Sequence, residues 1–402
     1  MRKHIFSIIL LLSSILSYAA VPQLSDMSQV SLLTCGDGDE VFTKFGHTGI
    51  RISDPSNGVD VVFHWGIFMF ETPGFALRFM MGNPIYEMGP FYSSVFFEEY
   101  KSRGSSVDEQ ILALTTEQKN RLWNKLWADF ADETTQHYLY SFIGSNCATK
   151  AYDEIVALYG QNIIFDYKTN FTTYRNIIND NISLSSWFNL GINIIIGSTA
   201  DRGIGAQQAL SFPDYTKEAL NNCYYRDSNG NVSPVVIHDH RLLPQTRPYP
   251  TPSWMLYIQL LIPLIIIALQ SIYYYRHHHY VPILTEIIYS IYGIIGLLIL
   301  FLWLISNHPL VDDNYNILFF SPLALAVAII LCIKRHHRLK LIASFSLWLS
   351  ITLYLIPLIF NLQGTTIVLA AYWLAIFNTA TLNVATYKHE IKRLFKSPRS
   401  IH

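Results

Sequence analysis

The chain has 402 residues and a formal net charge of −1, with 51% hydrophobic and 14% charged residues. Charge this balanced supplies no basic field for a polyanion, so no nucleic-acid partner is expected. The averages conceal two halves: residues 21–250 have the mixed composition of a soluble domain, and residues 254–386 are nearly all apolar.

In chain order, residues 1–20 read as a signal peptide. Arg2 and Lys3 precede an apolar core, Ile5 to Ile15, and the small residues of "SYAA" follow. An uncleaved anchor is the alternative, and in both cases the segment behind it crosses the membrane. "LLTC" (Leu32 to Cys35) resembles a lipid-attachment box but lies too far behind the apolar run. "SQVSLLTCG" is β-like, and "HTGIRIS" is a strand with Ile50 and Ile52 on one face. "DPSNG" (Asp54 to Gly58) is a turn, and "VDVVFHWGIF" is a second strand, which together read as a β-hairpin. A helical patch at Ser93 to Tyr100 and a strand, "VDEQILAL", follow. Thr115 to Phe130 is a helix with a Thr115–Gln118 capping box, and Leu122, Trp123, Leu126, Trp127 and Phe130 form its core face. The soluble half, residues 21–240, is therefore α+β. A Pro-rich stretch, residues 241–253, reads as a linker.

Five membrane spans are expected at 254–275, 281–305, 317–333, 340–360 and 364–386, the third being shortest. The loops "YRHHHY" and "KRHHRLK" and the tail from residue 387 are basic, while "SNHPLVDDNYN" and "NLQG" carry no Lys or Arg. Lys and Arg stay on the cytoplasmic side, so the soluble domain lies outside and the C-terminus inside. Histidines in the basic loops lack acidic or Cys partners and read as interfacial. Glu286 falls inside the second span; it is a functional candidate, or it lies near the cytoplasmic end and reaches water.

Two stretches carry chemistry. His47 and His64 are equidistant from the Pro55–Ser56 bond, so folding the hairpin there makes them opposite or diagonal neighbours. Such neighbours on one face are about 4.5–5.5 Å apart at Cβ when directly opposite. A one-residue slip would separate them onto two faces. In "SFIGSNCATKAYDEIVALYG", Ala148, Ala151, Tyr152, Ile155, Val156 and Tyr159 recur at helical spacing, with Gly160 as the stop and Ser145 or Asn146 as the cap. Cys147 then sits in the first turn, where the helix dipole and a nearby imidazole lower a thiol pKa. Three cysteines lie outside the membrane, so at least one is unpaired within the chain; Cys35 could pair with Cys223 and leave Cys147 free. No CxxC or His-x-x-x-His zinc spacing occurs, and neither metal nor cofactor is expected.

A histidine on a strand, a second polar residue on the next strand and "NC" opening a helix resemble the circularly permuted papain-like (NlpC/P60-like) pattern. Lecithin:retinol acyltransferase and its relatives share it. "LLTCGDGDEVFTKFGHTGIRISD", "VVFHWGIF", "YSFIGSNCATKAYDEI" and "FFSPLAL" behind "SNHPLVDDNYN" resemble, across nearly the whole chain, the bacterial Lnb family. Its members are lipoprotein N-acyltransferases with a periplasmic domain and a multi-span C-terminal part. The resemblance implies a multi-pass protein of a bacterial inner membrane, with a papain-like domain in the periplasm followed by an all-α transmembrane bundle, His47 as base and Cys147 as nucleophile. His64 stands where that pattern expects a polar residue, often Asn, and takes the orienting role.

The implied reaction moves an acyl chain from a phospholipid through a Cys147 thioester to the N-terminal amine of a diacylated lipoprotein. Asn146 is a supporting residue. In the loop "SNHPLVDDNYN", His308, Asn314 and Asn316 are candidates to face the catalytic domain or the substrate. A membrane-tethered cysteine peptidase or amidase acting on cell-wall peptides would use the same Cys and His. A phospholipase would use water as acceptor, and a non-catalytic envelope protein would keep Cys147 only for structure.

Overall fold

The computed structural model describes residues 22–68, 71–168, 173–227, 229–246, 251–333 and 336–396. The signal-peptide segment and the last six residues lie outside the described residues. The strands are β1 (Gln29–Cys35), β2 (His47–Asp54), β3 (Val59–Ile67), β4 (Ile85–Tyr92), β5 (Val107–Leu112), β6 (His137–Leu139), β7 (Ile163–Phe165), β8 (Cys223–Arg226), β9 (Val232–Pro234) and β10 (Val236–Leu243). Seven of them form one antiparallel sheet in the order β10-β5-β1-β2-β3-β4-β6.

The sheet is covered on both faces. Alternate residues Val30, Leu32, Ile50, Ile52 and Phe63 enter the main core, against helices α3 (Thr116–Ala131) and α4 (Cys147–Tyr159). The residues between them, Leu33, Cys35 and Val62, pack under α2 (Ser93–Arg103) with Phe96 and Tyr100. This period-two division explains why β1, a central strand, is buried at six of its seven positions. Helix α3 starts as its sequence dictates: Thr115 Oγ1 accepts from Gln118 N at 3.2 Å and Gln118 Oε1 accepts from Thr115 N at 2.9 Å. Leu122, Trp123 and Leu126 are its buried stripe.

The hairpin turn is one residue longer on its far side than the Pro55–Ser56 centre implied. Asp54 pairs with Val59, and a 3-10 turn at Pro55–Asn57 followed by Gly58 at φ +65° closes the loop. The centre moves to between Ser56 and Asn57. A one-residue shift of the centre changes the sum of paired positions by two, so facing parity survives. Gly49 is the Cα partner of His64, and His47 is therefore its diagonal neighbour on the same face.

Two boundaries differ from the sequence reading. The linker does not begin at Arg241: β10 runs on to Leu243, because the Arg241 guanidinium reaches Asp108 of β5 at 2.6 Å and 3.1 Å. The last helix continues past residue 386 to Lys396 rather than yielding to a separate tail. No disulfide joins Cys35 to Cys223. Both are buried free thiols, Cys35 under α2 and Cys223 in the core on the opposite side of the sheet.

Five segments are long and apolar enough to cross a membrane: Trp254–His277, Pro282–Leu304, Tyr315–Cys332, His337–Ile359 and Ile367–Glu390. The third is short because it is broken, a 3-10 turn at Tyr315–Leu318 followed by a helix at Leu323–Cys332. Glu286 lies one turn inside the second span, in a groove with Ile283, Ile287, Ser290, Ile329 and Cys332, at the end away from the sheet domain.

A short helix ties the halves together. Helix α6 (Trp187–Ile195, with α5 at Tyr174–Asn181 before it) buries Leu190 in the core of the membrane bundle. Its final carbonyls, which no helix can satisfy internally, accept from the far half of the chain. Asn314 Nδ2 donates to Ile194 and Ile195 at 2.9 and 3.0 Å, and Asn316 Nδ2 to Asn193 and Ile194 at 2.9 and 3.0 Å. Gly197 N donates to Leu310 O at 2.8 Å. A Cβ on Gly197 would lie 1.9 Å from Asp312 O, so only glycine lets the two backbones approach this closely.

Candidate active site

Cys147 is the first residue of α4, and Asn146 is its cap. Asn146 Oδ1 accepts from Ala148 N and Thr149 N at 2.9 and 3.0 Å, while Thr149 Oγ1 accepts from Asn146 N at 2.9 Å. The other end of the amide donates to Phe142 O and Ser211 O at 2.7 and 2.8 Å. Asn146 is thus buried and fully engaged by backbone; it fixes where the thiol stands and has no free group for substrate. A tight loop precedes it, closed by Ser141 N to Ser145 O at 2.9 Å and its reciprocal at 3.1 Å.

Helix α4 packs on β2 and β3 so that its first turn meets the start of β2, where His47 stands. Gly46, at φ +73°, swings the chain into β2 just before His47; a Cβ there would meet Cys35 O at 2.5 Å. His47 Nε2 lies 3.0 Å from His64 Nδ1. The His47 ring is stacked along Tyr100, centroids 6.4 Å apart and planes 15° apart. His64 is wedged between Phe91 and Phe96, at 4.8 and 5.6 Å. With Nε2 occupied by His64, the other His47 nitrogen, Nδ1, is the one left for the Cys147 sulfur.

The electrostatics differ sharply among the three cysteines of the sheet domain. Burial pushes all of them up, Cys223 to about 12 and Cys35 well above its ordinary 9.0. Only at Cys147 is burial outweighed. The His47 charge, a hydrogen bond to His47 and bonds from the Thr48 backbone and hydroxyl bring its thiol below 9.0. His64 is held well below the ordinary 6.5, first by burial and then by the neighbouring His47 charge. A neutral His64 with Nδ1 as acceptor suits a protonated His47 that donates from Nε2.

Thr48 was not visible as a site residue in the sequence. Its side chain is fully buried, its hydroxyl has no oxygen or nitrogen partner, and it helps to lower the Cys147 thiol. A strand threonine next to a histidine carries no signal of its own, since β-branched residues are ordinary in strands. Tyr138 is likewise near, with Lys150 Nζ from the first turn of α4 5.1 Å over its ring.

The loop candidates lie elsewhere. Asn314 and Asn316 are completely buried and spend their amides on α6. His308 hydrogen-bonds Phe79 O and sets its ring 5.2 Å from Phe79, on helix α1 (Phe75–Met80). The structure thus brings together Cys147, His47, His64 and Asn146, and places the three loop residues at the junction of the two halves. Among the described residues, no group of three or more His, Cys, Asp or Glu is arranged to hold a metal ion.

No curated protein and no solved structure matches the chain. Residues 20–180 match the family model of the Lnb N-terminal periplasmic domain, and residues 249–390 match that of the Lnb transmembrane domain. With both parts present in one order across most of its length, the chain belongs to the Lnb family, its sheet domain periplasmic and its apolar helices the membrane-spanning part.

Proposed function

We propose that the protein is a lipoprotein N-acyltransferase that uses Cys147 as nucleophile, His47 as base and His64 to orient His47. The reading rests on one juxtaposition: a thiol of lowered pKa at a helix start, beside an imidazole whose second nitrogen is already held at 3.0 Å. The order and placement resemble those of a permuted papain-like site. The basic loops orient the C-terminus toward the cytoplasm.

The chemistry runs in two halves. His47 takes the Cys147 proton, and the thiolate attacks an ester carbonyl of a phospholipid. The tetrahedral intermediate collapses; the ester C–O bond breaks, the lysophospholipid alkoxide receives the proton from His47, and a thioester remains. The amine of a diacylated lipoprotein then attacks the thioester, His47 takes a proton from it, and the C–S bond breaks to give the amide. Ala148 and Thr149 N–H are occupied by Asn146, so the Cys147 N–H is the helix-start donor for the oxyanion.

The test is the intact mass of the full-length protein after mixing with phospholipid vesicles. One acyl group on Cys147, absent from Cys147→Ser, is expected, together with loss of lipoprotein N-acylation by the variant. Full N-acylation by Cys147→Ser would sink the scheme.

A further inference from the structure

Two segments beside the site expose apolar side chains. Val41 and Phe42, in the short turn before His47, are 59% and 50% exposed. Leu77, Phe79 and Met80 of α1 are exposed to similar degrees. The segments meet through Phe68, whose ring is 5.5 Å from Phe42 and 5.9 Å from Phe75.

The height of this patch is set by the membrane part. The second span ends at Leu304, and the next residues grip α1: Ser306 Oγ donates to Met80 O and Asn307 N to Met81 O, both at 2.8 Å. Gly82 packs so closely on His308 that a Cβ would lie 2.3 Å from His308 N. Helix α1 therefore stands where the second span leaves hydrocarbon. Exposed Trp254 and Tyr257 mark the same end of the first span, as interfacial aromatics do. An exposed apolar patch continuous with membrane spans has the bilayer as its natural partner.

From α1 a row of rings leads inward. Phe79 to Phe75 is 6.1 Å, Phe75 to Phe68 5.9 Å, Phe68 to Tyr86 4.9 Å and Tyr86 to Tyr140 4.3 Å, each stacked within 30° of parallel. Tyr140 opens the tight loop that ends at Cys147. The one cation on α1, Arg78, turns away to donate to Pro73 O.

We infer that Leu77, Phe79, Met80 and Phe42 seat in the periplasmic leaflet, and that the row from Phe79 to Tyr140 receives a phospholipid acyl chain on its way to Cys147. The second part rests on the reading of Cys147 as the acyl acceptor. The rings of the row cover one another's faces, so the methylene chain lies along their uncharged edges, and the thiol meets the ester at the end of the row.

The experiment uses full-length Cys147→Ser protein in phosphatidylethanolamine–phosphatidylglycerol nanodiscs containing a phospholipid with a diazirine in its acyl chain. Photo-adducts on Phe75–Met80 and on Tyr86 or Tyr140 are expected by peptide mass spectrometry. Adducts confined to the five spans overturn the inference. A second arm replaces Leu77 and Met80 by Asp in the protein with Cys147 intact. Loading of Cys147 from the bilayer should slow tenfold or more, with an unchanged melting temperature and unchanged alkylation by iodoacetamide. Loading at the original rate also overturns it. Adducts at α1 in a protein that never carries an acyl group on Cys147 leave the leaflet contact standing and overturn the acyl-transfer reading instead.

Discussion

His64 lies diagonally across the β2–β3 ladder from His47, and its Nδ1 is 3.0 Å from His47 Nε2. That contact decides which His47 nitrogen is free for Cys147. On the proposed mechanism, removing it with His64→Ala should lower kcat roughly 10²- to 10⁴-fold, the cost of letting the base take the wrong tautomer. His64→Asn, whose amide oxygen still accepts a hydrogen bond, should recover most of the loss. Equal activity in all three proteins would remove His64 from the site.

Cys147 should alkylate with iodoacetamide at a pH below that of a free thiol, because His47 and Thr48 outweigh its burial. His47→Ala should move the alkylation midpoint up. Thr48→Val, which deletes the buried hydroxyl and keeps the backbone N–H, should move it up by a smaller amount, and Thr48→Ser should restore it. A midpoint unmoved by either change would mean that the thiol is not activated by these neighbours. Cys35, pushed well up by burial, should not react in the same range.

Stability should fall in mild acid through His64. Its folded-state pKa is depressed, so the unfolded chain binds a proton near the ordinary 6.5 while the folded chain does not. The unfolded state then holds more protons below that pH, and stability rises with pH through the window and is lost as pH falls below about 6.5. The slope approaches ~1.4 kcal/mol per pH unit. Melting temperatures between pH 7.5 and 5.5 should show the fall in the wild type and a flatter profile in His64→Asn.

Asn146→Ala should cost about 2–4 kcal/mol, combining a lost helix cap with the two buried carbonyls of Phe142 and Ser211 left without a donor. Asn146→Asp keeps the acceptor for Ala148 and Thr149 but sets a carboxylate oxygen against the Phe142 and Ser211 carbonyls, and should cost at least as much. Thermal unfolding reads both.

Gly197→Val should loosen the junction between the halves, since a Cβ collides with Asp312 O. The loop around residues 308–313 should become accessible to protease in the variant, while iodoacetamide still labels Cys147. A protease pattern identical to the wild type would show that the contact is dispensable.

Much of this molecule is legible along the chain. Apolar period and length mark the five spans, the Thr115–Gln118 box marks α3, and Asn146 ahead of a helical repeat marks the start of α4. These features are local: each depends on neighbours within a turn or two, and the sequence by itself determines them. Tertiary structure decides the rest. The turn around Ser56 chose the diagonal placement of His47 and His64, because its four-residue loop depends on Gly58 adopting positive φ rather than on hydrophobic pattern. Thr48 became a thiol partner only when α4 packed across β2. Asn314 and Asn316, polar loop residues by sequence, became buried donors because α6 presents its unsatisfied carbonyls to them. Thr48 and the two asparagines take their roles from partners 99 to 123 residues away, and no local pattern encodes a partner at that distance.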